Sequence, residues 1–153
     1  LHNDHCENDY KCTHAKFYIH EQELKAITHP HPLDYRYLED YIDEIRESDQ
    51  IITVTEDMEI VPGISVIHTP VHTKGGLSIR INTKKGNAII TGFCIIHENF
   101  NPPPEIKAME MDVIPPGTHI NVEQSYDIML KIKESADILI PLHEPEFASI
   151  DTL

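Results

Sequence analysis

The chain has 153 residues, a length that calls for one hydrophobic core and gives no reason to divide it. Its 40% hydrophobic content, few aromatics and absence of Trp are ordinary for a folded globular chain and exclude a disordered one. Twenty-six acidic against twelve basic side chains leave a formal charge of -14, which repels phosphate backbones and anionic lipid and so excludes nucleic acid and membrane surfaces as partners.

Ala15 to Ile19 (AKFYI) reads as a short strand and Glu21 to Ile27 as a helical turn or two rich in helix formers. The THPHP stretch, with two prolines, fixes an extended loop. From Leu33 to Ser48, apolar residues at Leu38, Tyr41, Ile42 and Ile45 have helical spacing and predict an amphipathic surface helix, whose acids (Glu39, Asp40, Asp43, Glu44, Glu47) read as its solvated face. From Gln50 the pattern turns to β. IITVT, EDMEIVPG with its Pro-Gly turn, ISVIHT, LSIRI and AIIT read as hairpin-linked strands, and the Lys85-Gly86-Asn87 turn is the plainest hairpin signal. Asn101 to Pro104 is a Pro-rich loop. Val122 to Lys133 predicts a second helix, and Asp137 to Leu142 a final buried strand. This order is an α+β layered pattern without internal repeats.

Cys6, Cys12 and Cys94 are odd in number and lack CxxC spacing, so neither a disulfide framework nor a Cys-rich structural zinc site is indicated and a reducing cytoplasm fits best. No stretch approaches the roughly 20 apolar residues of a membrane span, and no basic region followed by an apolar run opens the chain.

Three elements carry metal chemistry. His2-Asn3-Asp4-His5 packs imidazole and carboxylate into four residues, the donor set a borderline cation such as Zn²⁺ takes; on its own it is equally a surface string. In VIHTPVHTKGG (66–76) a β run ends in a loop beside a Gly-Gly pair. His68, still at the strand end, reads as a hydrogen-bonded structural histidine, and His72, on the loop, as a ligand. In ILIPLHEPEF (138–147) an apolar strand delivers His143 at its C-terminal end. Cys94 reads as a small buried thiol before a soft ligand, and His97, Glu98 and His119 as loop or helix-cap residues.

In this order, with GNAIITG (86–92) between the second and third, the elements resemble the metallo-β-lactamase superfamily over essentially the whole chain. His2-Asn3-Asp4-His5 matches the last four positions of its HxHxDH motif, whose first histidine is expected just before Leu1, so an upstream part of the domain is expected to be missing. The resemblance implies a four-layer αββα sandwich, incomplete at its N-terminus, with His2, Asp4, His5, His72 and His143 as metal ligands. His2, where flavodiiron relatives carry Glu, favours a hydrolase over an oxidoreductase. HENF (97–100) and the LHEPEF ending look most like the N-acyl-homoserine-lactonase branch.

The implied activity is that of a zinc-dependent hydrolase holding one or two ions, with iron or manganese as alternatives. In such an enzyme a metal-bound hydroxide attacks an ester, lactone or thioester carbonyl of a small-molecule substrate. Asp4 would both bind metal and take the proton of the attacking water. A homo-oligomer is compatible with the sequence. Two departures matter: where the family has a metal-bridging Asp after TG, this chain reads Thr91-Gly92-Phe93-Cys94, and the lactonases' substrate-contacting Tyr falls in the neighbourhood of Ile95 and Ile96. They keep open a degenerate binding protein without catalysis; a non-haem iron redox protein, disfavoured by His2, stays open because histidine and carboxylate also bind iron.

Overall fold

The computed structural model describes residues 1–47 and 49–149, and the chain divides after Glu56 into two compact units. In the first, strand β1 (Phe17–His20) pairs in parallel with β2 (Ile51–Val54), Phe17 opposite Ile51 and His20 opposite Val54. Between them run helices α2 (Glu21–Thr28) and α3 (Asp40–Glu47), preceded in the chain by the short α1 (Asn3–Cys6). Parallel strands need such a long crossover. The expectation that IITVT is hairpin-linked to the strand after it is thereby corrected: β2 takes β1 as its partner.

β1 passes into α2 without a loop because His20 caps the helix. Its backbone is extended, and its Nδ1 accepts a hydrogen bond from the Gln22 amide at 3.2 Å. Ile27 of α2 and Ile42 and Ile45 of α3 meet Ile19 and Tyr37 in a buried core, each aliphatic side chain contributing about 1.5–3 kcal/mol. The helix expected from Leu33 begins only at Asp40. Asp34 closes a turn onto the His31 carbonyl at 2.8 Å, and Tyr37 is drawn inward, its hydroxyl donating to both Glu23 carboxylate oxygens at 3.1 Å. Ser48, the expected end of that helix, lies outside the described residues. Gln50 ties the chain before β1 to the start of β2 by donating from Nε2 to the carbonyls of Cys12 (2.7 Å) and Ala15 (2.8 Å).

On the exposed face of α2, Lys25 donates to Glu21 one turn earlier at 2.8 Å and holds that carboxyl below its ordinary titration range. A folded carboxyl that titrates below its unfolded counterpart contributes stability above the unfolded range and loses it as pH falls through the folded one. The expected result of Lys25→Met is an upward shift of the Glu21 titration followed by carboxyl NMR; an unmoved titration would refute the assignment.

The second unit is built on a five-stranded sheet in chain order: β3 (Met58–Val61), β4 (Ile64–His68), β5 (Leu77–Thr83), β6 (Gly86–Ile90) and β7 (Ile138–Ile140). The first four form an antiparallel meander. Its turns fall at the expected glycines, Gly63 with φ +86° and Gly86 with φ +111°, in the left-handed region that favours glycine. A side chain at Gly86 would also strike Asp137, whose carboxylate accepts from the Asn87 amide at 2.8 Å. β7 lies parallel to β6, Ala88 opposite Ile138 and Ile90 opposite Ile140. The connection carries α4 (His97–Phe100), α5 (Pro104–Lys107) and α6 (Val122–Ser135). Asn121 caps α6 by accepting from the Gln124 amide at 2.9 Å, and Met129 and Ile132 pack with Val71, Ile89, Phe93, Ile95, Phe100 and Val113 into this unit's core.

Candidate metal centre

The candidate ligands lie in both units. In the first, His2 stands at the N-cap position of α1 with an extended backbone and is buried. Its ring stands edge-on to Tyr37, with centroids 4.6 Å apart, and its Nε2 lies 3.2 and 3.3 Å from the two oxygens of Asp34. Asp34 is itself gripped by Arg36 at 3.0 Å. Burial holds the His2 imidazole below its ordinary pKa, with Asp34 opposing that shift and Arg36 adding to it. That shift favours the neutral ring, the form that ligates metal. A carboxylate only accepts, so the hydrogen bond puts the proton on Nε2 and the lone pair on Nδ1. That is the orienting role carboxylates play behind metal-binding histidines. Asp4 and His5 follow on α1, both exposed, their side chains 3.6 Å apart.

In the second unit the loop after β4 is closed by the Thr69 amide donating to the Gly76 carbonyl at 2.8 Å. A Cβ on Gly76 would come within 2.7 Å of the Thr69 carbonyl oxygen, so the glycine is required for that approach. His68 is engaged as expected for a structural residue: its amide donates to Asp57 at 2.7 Å and its Nε2 to the Lys74 carbonyl at 2.8 Å. His72 is half-buried on the loop with Nδ1 3.3 Å from the Thr118 carbonyl oxygen. A carbonyl cannot donate, so Nδ1 carries the proton and Nε2 the lone pair. His119 is held by the Pro116 carbonyl at 2.7 Å, and His97 opens α4 with its amide donating to Glu144 at 2.8 Å, both structural positions.

The chain beyond β6 and β7 is laced together past the last paired residues. Thr91 donates its amide to the Ile140 carbonyl at 3.0 Å, Leu142 donates to the Thr91 hydroxyl at 3.0 Å, and His143 donates its amide to the Ile95 carbonyl at 3.0 Å. Along this extension Phe93 and Ile95 are buried in the core while Cys94, between them, is half-buried. Cys94 is thus not the buried thiol expected. Its Sγ and a ring nitrogen of His143 lie within 4.8 Å of each other. Around a tetrahedral cation bonded to sulfur at about 2.3 Å and to nitrogen at about 2.1 Å the two donors lie about 3.6 Å apart, so side-chain rotation that closes the pair to that span would let one metal take both. The donor set, one thiol and one imidazole, suits zinc or another borderline cation.

Sequence reasoning missed Asp34 beside His2 and read Cys94 as a buried thiol before a soft ligand. Asp34 lies 32 residues from His2 with no motif around it, and only the folded chain joins them. The weak signal for Cys94 was alternation: a polar residue between two large apolar ones leaves a core on the opposite side.

No family model matches the chain, and no curated protein matches it. Solved structures do. An N-acyl homoserine lactone hydrolase, with the product N-hexanoyl-L-homoserine bound at its catalytic metal centre, shares the fold at a TM-score of 0.72 and 22% identity, over 97% of this chain and 55% of that one. A quorum-quenching N-acyl homoserine lactone lactonase matches at 0.62 and 20%, over 86% and 51%. A hydrolase of the beta lactamase superfamily matches at 0.60 and 19%, over 86% and 48%. The fold is that of the metallo-β-lactamase hydrolases, and the chain spans about half the length of these proteins.

Proposed function

We propose that this chain carries the metal site of a hydrolase that cleaves an ester, lactone or thioester bond of a small molecule, with zinc as its metal. The observation that supports it best is the preparation of donors in a fold shared with metal-centred lactone hydrolases. His2 and His72 are each set in one tautomer by an acceptor behind the ring, and Cys94 and His143 stand side by side where β6 and β7 end. His2, Asp4, His5, His72 and His143 are the proposed ligands, on the order of the three motifs.

When bound, the metal supplies a water acidic enough to lose a proton near neutral pH. The exposed Asp4 carboxylate is the proposed acceptor of that proton, while Asp34 and the Thr118 carbonyl keep their histidines from turning. The cytoplasm is the proposed location, in keeping with three cysteines that form no disulfide, of which Cys12 is exposed. Among the described residues no helix is long and apolar enough to cross a membrane.

The test is metal analysis joined to turnover. Protein purified without chelator is expected to hold transition metal and to hydrolyse members of a lactone and thioester panel. Chelation should abolish the rate and zinc restore it. His143→Ala should lower metal affinity and rate by about 100-fold or more. Turnover indifferent to chelation would overturn the reading. A second reading, metal binding without catalysis, is favoured by Phe93, which is buried where a metal-bridging carboxylate was expected; metal uptake with no turnover on the whole panel would select it.

A further inference from the structure

We propose that Cys94 is itself a metal ligand, bound as the thiolate beside His143. The inference rests on the metal-site reading above and adds a donor of a different chemical kind. Three observations carry it. Phe93 and Ile95 are committed to the core, so the residue between them is turned away from it, and that residue is a cysteine with part of its surface accessible. The backbone hydrogen bonds Thr91 to Ile140 and His143 to Ile95 lock the two carrier segments together, so the thiol and imidazole do not meet by loop motion. The two donor atoms then fall within 4.8 Å of each other, close enough for side-chain rotation to bring them to the roughly 3.6 Å that a tetrahedral cation spans.

An imidazole alone would not need a thiol at that place, and a thiol kept for packing would sit with Phe93. Binding breaks the S–H bond, forms a metal–sulfur bond and releases the proton to solvent, so uptake at this site liberates one proton more than ligation by imidazole and carboxylate alone. The thiolate also brings a negative charge next to the cation without the second oxygen by which a carboxylate can bridge two ions.

Cobalt(II) gives a readout independent of turnover, because thiolate ligation produces an intense near-ultraviolet charge-transfer band while the visible ligand-field bands report any ligation. The full chain titrated with cobalt is expected to show both. In Cys94→Ser the charge-transfer band should vanish with the visible bands altered but present; in Cys12→Ser, which alters the exposed thiol elsewhere, both should persist. Circular dichroism checks that Cys94→Ser is folded. Alkylation of unmodified protein adds a measurement that needs no variant: metal should slow modification of Cys94, read by peptide mass, at least tenfold and leave Cys12 unchanged. Visible bands without charge transfer, or Cys94 alkylated equally fast with and without metal, would overturn the cysteine assignment and leave the hydrolase reading standing. No cobalt bands of either kind would overturn both.

Discussion

Phe93→Asp is expected to prevent the second unit from folding at neutral pH. The substitution writes a carboxylate where the resemblance calls for one, yet Phe93 is fully buried among Val71, Ile89, Ile95, Phe100, Val113, Met129 and Ile132. Removing the ring costs about 3–5 kcal/mol. A carboxyl in that apolar setting has its pKa raised by about 3 units or more, which is about 4 kcal/mol at neutral pH. Together these approach the whole stability of an ordinary domain, about 5–15 kcal/mol. The sign of the pH effect is opposite to that at Glu21. A folded pKa raised above the unfolded one leaves stability intact below the unfolded value and removes it as pH rises, so acid should partly rescue the variant. Urea midpoints across pH 4 to 8, by circular dichroism, test this, with Phe93→Leu as the mild comparison. A stable Phe93→Asp protein that gained a metal ion would show that position 93 faces the site after all.

Gly92→Ala is expected to be destabilising as well, by less and for a different reason. The Gly92 backbone is one that any residue can adopt, so the penalty is steric alone. A Cβ there would sit 1.6 Å from the Leu77 carbonyl oxygen and 2.5 Å from its carbon, both backbone atoms of the neighbouring strand. Nothing flexible can yield, and the chain after β6 must part from the start of β5. That movement breaks the 3.1 Å bond from the Gly92 amide to the Ser78 hydroxyl, and with it the buried 2.8 Å contact of Ser78 with Thr69. Overpacking typically costs about 1–3 kcal/mol; contact with backbone on this scale puts the expected loss at about 3 kcal/mol or above. Because Gly92 leads into Phe93 and Cys94, cobalt charge transfer should weaken in whatever fraction remains folded. An unchanged urea midpoint would mean that the two strands are farther apart than described.

Local rules recovered the elements whose causes are local. The meander from Met58 to Ile90 was legible because alternating apolar residues and Pro-Gly and Lys-Gly turns specify hairpins within a few residues. Val122 onward was legible because its apolar spacing and the helix agree. Where distant residues decide, the pattern misled. The helical spacing at Leu38, Tyr41, Ile42 and Ile45 predicts a helix from Leu33, but the helix begins at Asp40 and Tyr37 is held by Glu23 from another helix. IITVT looks like the first arm of a hairpin until β1 is known to lie beside it. Of the candidate site, His143 and His72 stand at the strand end and loop their motifs implied. The reason for the Phe93 departure was not visible, since the same letters describe a lost ligand and a core side chain with its neighbour turned outward.

Cys94 and His143 are about fifty residues apart in the chain, and their meeting depends on β7 settling against β6. The β3–β6 hairpins close loops of a few residues and belong to the microsecond events of folding. Closing a fifty-residue loop costs about 2 kcal/mol more in chain entropy than closing a turn of four, and β7 follows α6 in the chain. The donor pair is thus among the last contacts to form, absent from any partly folded state that lacks β7. A cation held there would act as a clasp on the finished structure, favouring the native state by mass action and leaving earlier intermediates untouched.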